Sequence, residues 1–199
     1  MGKSTNIAAL QQSLEQAGID LLCTREPGGT PLAEEIRALL LNRRDEPVHQ
    51  HTELLLMFAA RVQHYRTVIE PALESGRWVL CDRFVDATIA YQGHGRGAGE
   101  GIVVALHEMV LDACQPDLTV LLDLPPTTGR ARVAQRGEPE DRFESERDAF
   151  FERVRAGYLS LAERNPARFR VIDAGLPLAE VGSRVRAVIR DYLIAEGLH

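Results

Sequence analysis

The sequence predicts an α/β fold, with a parallel sheet covered on both faces by helices. Three observations carry that expectation. Short apolar runs bounded by turn residues alternate along the chain with longer stretches whose apolar residues recur at helical spacing. The 199 residues, 45% of them hydrophobic and 26% charged, suffice for one good core and suit one domain. No internal repeat, long linker or low-complexity tract divides them.

The elements follow in order. Ser4 to Ala17 sets Ile7, Leu10 and Leu14 at helix spacing and stops at Gly18. Residues 19–24 read as a short buried strand that runs into Arg25-Glu26-Pro27-Gly28-Gly29-Thr30, a turn-forming cluster. Pro31 is suited to the first position of a helix continuing through Ile36 to Leu41. After a polar loop, Leu54, Phe58, Val62, Tyr65, Ile69 and Leu73 predict one long helix over about 52–74, bent near its end by Pro71.

Residues 77–83 form a strand whose last residues are Asp82 and Arg83, followed by a helix to about Gln92. The glycine-rich stretch 93–97 and a helix through Leu111 come next. Leu118 to Leu124 is the cleanest strand, bounded by Pro116-Asp117 and Pro125-Pro126. Residues 127–146 are crowded with arginine and acid and suit a mobile flap between two helices. A helix at 148–164, a strand at 169–172 and a helix at 178–195 complete the chain. In parallel sheets ligands bind beyond the carboxyl ends of the strands, where Arg25, Glu26, Asp82 and Arg83 all fall.

A net charge of −6 argues against nucleic acid or an anionic membrane as partner, because both need a broad basic field. No apolar run approaches the ~20 residues of a membrane span, and no signal-peptide pattern precedes the start, so a soluble cytoplasmic protein is expected. Cys23, Cys81 and Cys114 are odd in number and widely spaced, which suits reduced thiols. His49 and His51 lack a third ligand nearby in sequence, so they read as a solvated helix start.

Gly2-Lys3-Ser4-Thr5 matches the end of a phosphate-binding loop, where backbone N–H groups and a lysine hold nucleotide phosphates and a hydroxyl holds Mg²⁺. Asp82 ends an apolar strand, the place for a Mg²⁺-associated acid, with Arg83 beside it for a phosphate. The competing reading of that pair is a surface ion pair. Arg61 follows Met57 by one helical turn and Phe58 by three residues, an arrangement that would let a guanidinium read a base edge beside an apolar wall. For Met57 and Phe58 taken singly, core packing is the ordinary role.

Gly-Lys-Ser-Thr at 2–5, Thr-Arg-Glu-Pro-Gly-Gly-Thr at 24–30, Phe-Ala-Ala-Arg-Val-Gln at 58–63, Cys-Asp-Arg-Phe at 81–84, Ala-Tyr-Gln-Gly-His-Gly-Arg-Gly at 90–97 and Pro-Asp-Leu-Thr at 116–119 together resemble the bacterial thymidylate kinase family. The resemblance covers nearly the whole chain, in order. It implies a P-loop NTPase-type fold like that of nucleoside monophosphate kinases, in three layers, as a single domain over 1–199 with a small lid at about 127–146. It also implies phosphoryl transfer from Mg·ATP to dTMP, giving ADP and dTDP for dTTP biosynthesis, and a homodimer.

Carried over residue by residue, Gly2, Lys3, Ser4 and Thr5 would hold the ATP phosphates, with Ser4 and Asp82 near Mg²⁺. Arg37 and Arg83 would hold the dTMP phosphate, Glu26 would order the acceptor side, and Arg61 would reach the thymine edge. Thr88 and Gln92 would complete the pocket, and Tyr91 would stand where a ribose 2′-hydroxyl would intrude. Arg132, Arg136 and Arg142 match the lid's basic positions, from which the bacterial type supplies its catalytic arginine.

The sequence departs from the family pattern in four places. The first strand, the leading glycine and the acidic residues of the phosphate loop do not precede Gly2, so a misassigned or truncated start is expected. Met57 stands where a ring usually stacks on thymine, leaving open whether Phe58 substitutes. His94 interrupts an otherwise all-glycine run, and Glu140 resembles a one-residue insertion in the lid. The alternatives are another P-loop kinase or a dTMP-binding chain without transfer; a GTPase is disfavoured because no Asn-Lys-x-Asp occurs.

Overall fold

The structure, a computed structural model, describes residues 3–112, 114–134 and 141–197. The chain runs α1 (Lys3–Gln16), β1 (Leu21–Arg25), α2 (Pro31–Leu41), α3 (Gln50–His64), α4 (Glu70–Glu74), β2 (Trp78–Asp82), α5 (Val85–Thr88) and α6 (Glu100–Leu111). It continues through β3 (Thr119–Asp123), α7 (Pro126–Ala134), α8 (Asp148–Arg164), β4 (Phe169–Asp173) and α9 (Leu178–Ala195).

Local chemistry accounts for most boundaries. Gly18 adopts φ 77° just beyond α1, which a side chain would resist. Thr30 caps α2 by accepting a hydrogen bond from the Ala33 N–H at 3.1 Å, with Pro31 in the first turn. The long helix expected over 52–74 is wound continuously, but residues Tyr65–Ile69 are π-helical between α3 and α4. Pro71 has no N–H to give, and the wider winding just before it absorbs the mismatch.

Two further segments differ from the sequence reading. Winding continues past Gln92 as a π-helical stretch, Ile89–Gly95, because glycine lets it pass close to α8. A Cβ on Gly95 would lie 2.7 Å from Phe150 and 2.8 Å from Val154. The first part of the expected flap is the helix α7.

β1 and β2 pair in parallel from Leu21 opposite Trp78 to Arg25 opposite Asp82; β3 and β4 do so from Thr119 opposite Phe169 to Asp123 opposite Asp173. The sequence reading expected one sheet; among the described residues these are two parallel pairs. A cavity of about 970 Å³ lies between β2 and β3. A cavity on a sheet face touches alternate residues, whereas this one touches 77–83 and 118–124 without a break, so it runs along the two facing edges. That separation is why no hydrogen-bond ladder joins the pairs.

Both pairs share their cover. Leu10 of α1, Ile172 of β4 and Val181 and Val185 of α9 form one apolar cluster, against which Leu80 of β2 and Val120 and Leu122 of β3 rest. Arg168 adds a polar tie, donating to Asp86 of α5 at 2.6 and 2.8 Å and to the Thr119 hydroxyl at 2.9 Å. The start of the β3–β4 pair is thereby tied to α5, which follows β2.

Candidate active site

The carboxyl ends of β1 and β2 are in register, and the Glu26 N–H donates to the Asp82 carbonyl at 3.0 Å. The start of α1 comes to the same place: Lys3 Nζ lies 2.9 Å from Asp82 Oδ1. Arg83 follows at φ 70°, a left-handed conformation that is unusual for a residue with a side chain and recurs at functional sites. Its guanidinium stands 4.9 Å over the Tyr91 ring and opens onto the cavity.

Cations crowd this edge. Burial, then the neighbouring Arg83, pushes the Lys3 pKa down, with Asp82 acting in the opposite sense. Arg37 is lowered chiefly by burial, and Arg25 and Arg83 add repulsion. Its Nη1 donates to the Pro27 carbonyl at 2.8 Å, which fixes it below the turn. Three positive groups held within one another's field, with Asp82 as the near acid, constitute an anion site suited to phosphate. Arg83 is pushed in the other direction, chiefly by Tyr91.

A second group of polar side chains is sealed between α3, β1 and α5. Arg61, 1% exposed, donates from Nε to Glu26 Oε2 at 2.7 Å and from Nη2 to the Thr88 hydroxyl at 2.8 Å. Its guanidinium lies 5.1 Å from the Phe58 ring and 5.4 Å from the Phe84 ring. His64 completes the set, with Nδ1 3.3 Å from Glu26 Oε1 and Nε2 2.7 Å from the Thr24 hydroxyl. Glu26 is thus bound from two sides within the turn.

Four buried side-chain atoms have no partner among the described residues: the donors Arg61 Nη1 and Arg96 Nη2, the acceptor Gln92 Oε1, and His107 Nδ1. Burying a polar group without a partner costs about 1–3 kcal/mol, so Arg61 Nη1 and Gln92 Oε1, a donor and an acceptor, call for a partner from outside the chain. Phe58 is buried in the core with Leu54, Val85, Ile89 and Val103, and Met57 lies between α2 and α3 with Ile36 and Leu40.

Tyr91 is clasped edge to face by Phe143, Phe150 and Tyr158, with ring centroids 6.1, 6.0 and 6.4 Å away. Of the lid-side arginines, Arg132 donates to the Ala174 carbonyl at 2.9 Å beyond β4. Arg142 donates to the Leu40 carbonyl at 2.7 Å and to Glu53 Oε2 at 2.6 Å. Thr5 is exposed on α1, where Ser4 also lies. Gly2, Arg136 and Glu140 lie outside the described residues.

The strand-end residues and Lys3 are therefore brought together, as are Arg61, Thr88 and Glu26. Sequence reasoning passed over Glu53, His64, Arg96 and Tyr158. One signal was present: Glu53, Arg61 and His64 are polar at positions that helical spacing puts on the buried stripe of α3. Tyr158 offered none, being one more aromatic on an amphipathic helix.

Known proteins resemble the chain over nearly its whole length. The family model described as thymidylate kinase matches residues 1–185. A thymidylate kinase of Alkalilimnicola ehrlichii is 57% identical over 180 residues, spanning 90% of this chain and 83% of that protein. One from Teredinibacter turnerae is 51% identical over 193 residues, 97% of this chain and 94% of that protein. The crystal structure of thymidylate kinase from Ehrlichia chaffeensis superposes with a TM-score of 0.73 at 33% identity, covering 94% of this chain and 91% of that one. By its matched length, by these identities and by its fold, the chain belongs to the thymidylate kinase family.

Proposed function

We propose that the chain is a dTMP kinase, transferring the γ-phosphoryl group of ATP to dTMP to give ADP and dTDP. The observation that carries the reading is the unpartnered pair, Arg61 Nη1 and Gln92 Oε1. A donor and an acceptor beside Thr88 match a base edge that sets a carbonyl oxygen next to an N–H, as thymine does with O4 and N3. Cytosine and adenine present the reverse, an amino group next to an unprotonated nitrogen, and would leave both protein atoms mismatched.

The remaining roles follow from position. Arg37 and Arg83 hold the phosphate of dTMP, supported by the crowding of cations that lowers Lys3 and Arg37. Glu26, bound by Arg61 and His64, keeps the acceptor-side turn in place. The apolar wall of the base pocket falls to Met57 or to Phe58, of which Phe58 packs 5.1 Å from the Arg61 guanidinium, and the clasped Tyr91 excludes a 2′-hydroxyl. Gly2, Lys3, Ser4 and Thr5 hold the ATP phosphates, and Arg136 contributes from the lid side; Arg132 and Arg142 would join it only by releasing the Ala174 carbonyl and the Leu40–Glu53 pair that hold them.

Ser4 and Asp82 supply hard oxygen donors of the kind Mg²⁺ takes, and Asp82 sits at the strand end beside Lys3. Mg²⁺ supplies charge neutralisation on the transferred phosphoryl group when bound. The chain's own residues orient the acceptor phosphate and stabilise developing charge, so no covalent intermediate is required.

No described helix is long and apolar enough to cross a membrane. The cysteines Cys23, Cys81 and Cys114 are unpaired, which supports a reducing, cytoplasmic setting. Leu55 is 58% exposed on α3, and Met109 is 70% exposed on the adjoining α6. These residues support a helical homodimer interface, testable by light scattering.

The functional test is ADP release with Mg·ATP and dTMP, run beside dUMP, dCMP and AMP. Preference for a base without the carbonyl and N–H edge overturns the assignment, and dTMP binding without transfer identifies a binding protein instead. Chelation of Mg²⁺ should abolish turnover.

A further inference from the structure

Glu53 sits in the first turn of α3 with its side chain fully buried. Its carboxylate takes four hydrogen-bond contacts. Gln92 Nε2 donates to Oε1 at 2.8 Å, Arg96 Nε reaches both oxygens at 3.2 Å, and Arg142 Nη2 donates to Oε2 at 2.6 Å. A carboxylate held between two guanidinium groups is an acceptor only. Gln92 must therefore turn its NH₂ towards Glu53, because the opposite orientation would set its carbonyl oxygen against a carboxylate. Oε1 is left facing away, buried and without a partner among the described residues.

We propose that Glu53 is a positioning residue that sets the polarity of the base pocket: by holding the Gln92 NH₂, it makes an acceptor the end that meets the base. The inference rests on the base-pocket reading above and adds the source of its selectivity. A free glutamine presents either end at the cost of a rotation, so Gln92 alone would not distinguish an N–H from an unprotonated nitrogen. Glu53 touches neither substrate nor phosphate in this reading. Its effect passes through the amide.

The same carboxylate ties the pocket to the lid side. Arg142 also donates to the Leu40 carbonyl, and Arg96, while bound to Glu53, donates to Glu146 Oε1 at 2.5 Å. The rings of Phe143 and Phe150 lie 5.5 and 4.7 Å from the Arg96 guanidinium and shield it. These contacts hold the carboxylate against rotation, so the constraint on Gln92 is rigid.

The test is Glu53→Gln in the full chain. Binding of dTMP and of dCMP is measured by calorimetry without ATP, alongside kcat/KM for both. The ratio of dTMP to dCMP affinity should fall by about tenfold or more, because a glutamine at this position accepts either orientation of Gln92. A variant that folds and loses affinity for both nucleotides by one common factor overturns the proposal, since that is what a purely structural role does. Should Glu53→Gln not fold, Glu53→Asp keeps the buried negative charge while drawing the carboxylate back by one methylene, which loosens its hold on Gln92. The ratio should fall there too, and an unchanged ratio again overturns the proposal. If the unaltered protein shows no preference for dTMP over dCMP, the base-pocket reading fails with it; a preserved ratio in the variants removes this inference alone.

Discussion

Arg61→Met would test the sealed ion pair at the centre of the site. Methionine refills the aliphatic volume, so little packing is lost. The charge is what goes: Glu26, 3% exposed, would keep only His64 at 3.3 Å, and the Thr88 hydroxyl would lose its donor. Stranding one partner of a buried ion pair costs about 3–5 kcal/mol, and losing the cation–π contacts with Phe58 and Phe84 about 1 kcal/mol, partly the same energy. For a chain of this size each kcal/mol lowers Tm by roughly 2–4 °C, so a drop on the order of 10 °C is expected.

Urea unfolding followed by circular dichroism measures the loss. A cycle with Glu26→Gln isolates the pair: the double variant should lose about 2 kcal/mol less than the sum of the singles, because no buried charge is left alone. A single variant losing under ~1 kcal/mol, or a cycle that closes additively, would refute the reasoning.

Arg83→Ala should lower turnover with dTMP by more than about tenfold, since it removes a charge-assisted contact from the acceptor phosphate, and unchanged steady-state kinetics rule that role out. Lys3→Ala should abolish transfer while leaving the far-ultraviolet spectrum intact; loss of the fold instead would make the lysine structural. Gly29→Ala should destabilise the turn, because φ is 89° and a Cβ would meet the His64 ring at 2.4 Å; a Tm within about 1 °C of the unaltered protein contradicts this.

His107→Gln probes a buried titrating group. Burial holds the His107 pKa below the ordinary 6.5, while its bond to the Cys114 carbonyl at 2.7 Å and the charges of Asp86 and Glu26 raise it and Arg61 lowers it. The unfolded chain therefore binds the proton first. The neutral histidine's contribution to stability is complete above about pH 6.5 and is lost as pH falls towards the lowered value. Glutamine removes this dependence, so the Tm difference between the two proteins should narrow on acidification, and a constant difference refutes the assignment.

How far the sequence carried the reading depends on the range of the interaction that decides each feature. α8 and α9 were legible because period and turn residues are local, and α2 because Thr30 and Pro31 mark its start. The strand-end site was legible because a parallel α/β sheet presents ligands there whatever its details. The π-helical winding at Ile89–Gly95 was not: it depends on Gly95 passing Phe150, and nothing near residue 95 signals a helix more than fifty residues away.

The same limit explains the polar networks. Glu26 meets Arg61 across 35 positions and Asp86 meets Arg168 across 82, so Glu26 was legible as a strand-end residue but not its partner, and Asp86 alone reads as an ordinary surface residue. Glu53 is the sharpest case. In sequence it is a first-turn acid that favours a helix start, and only the tertiary fold encloses it with Gln92, Arg96 and Arg142. A buried charge that needs three separated donors is costly unless all three are in place. In the role proposed for Glu53, its position couples the specificity of the base pocket to the seating of Arg142, and a change at any of the four residues should register at the other three.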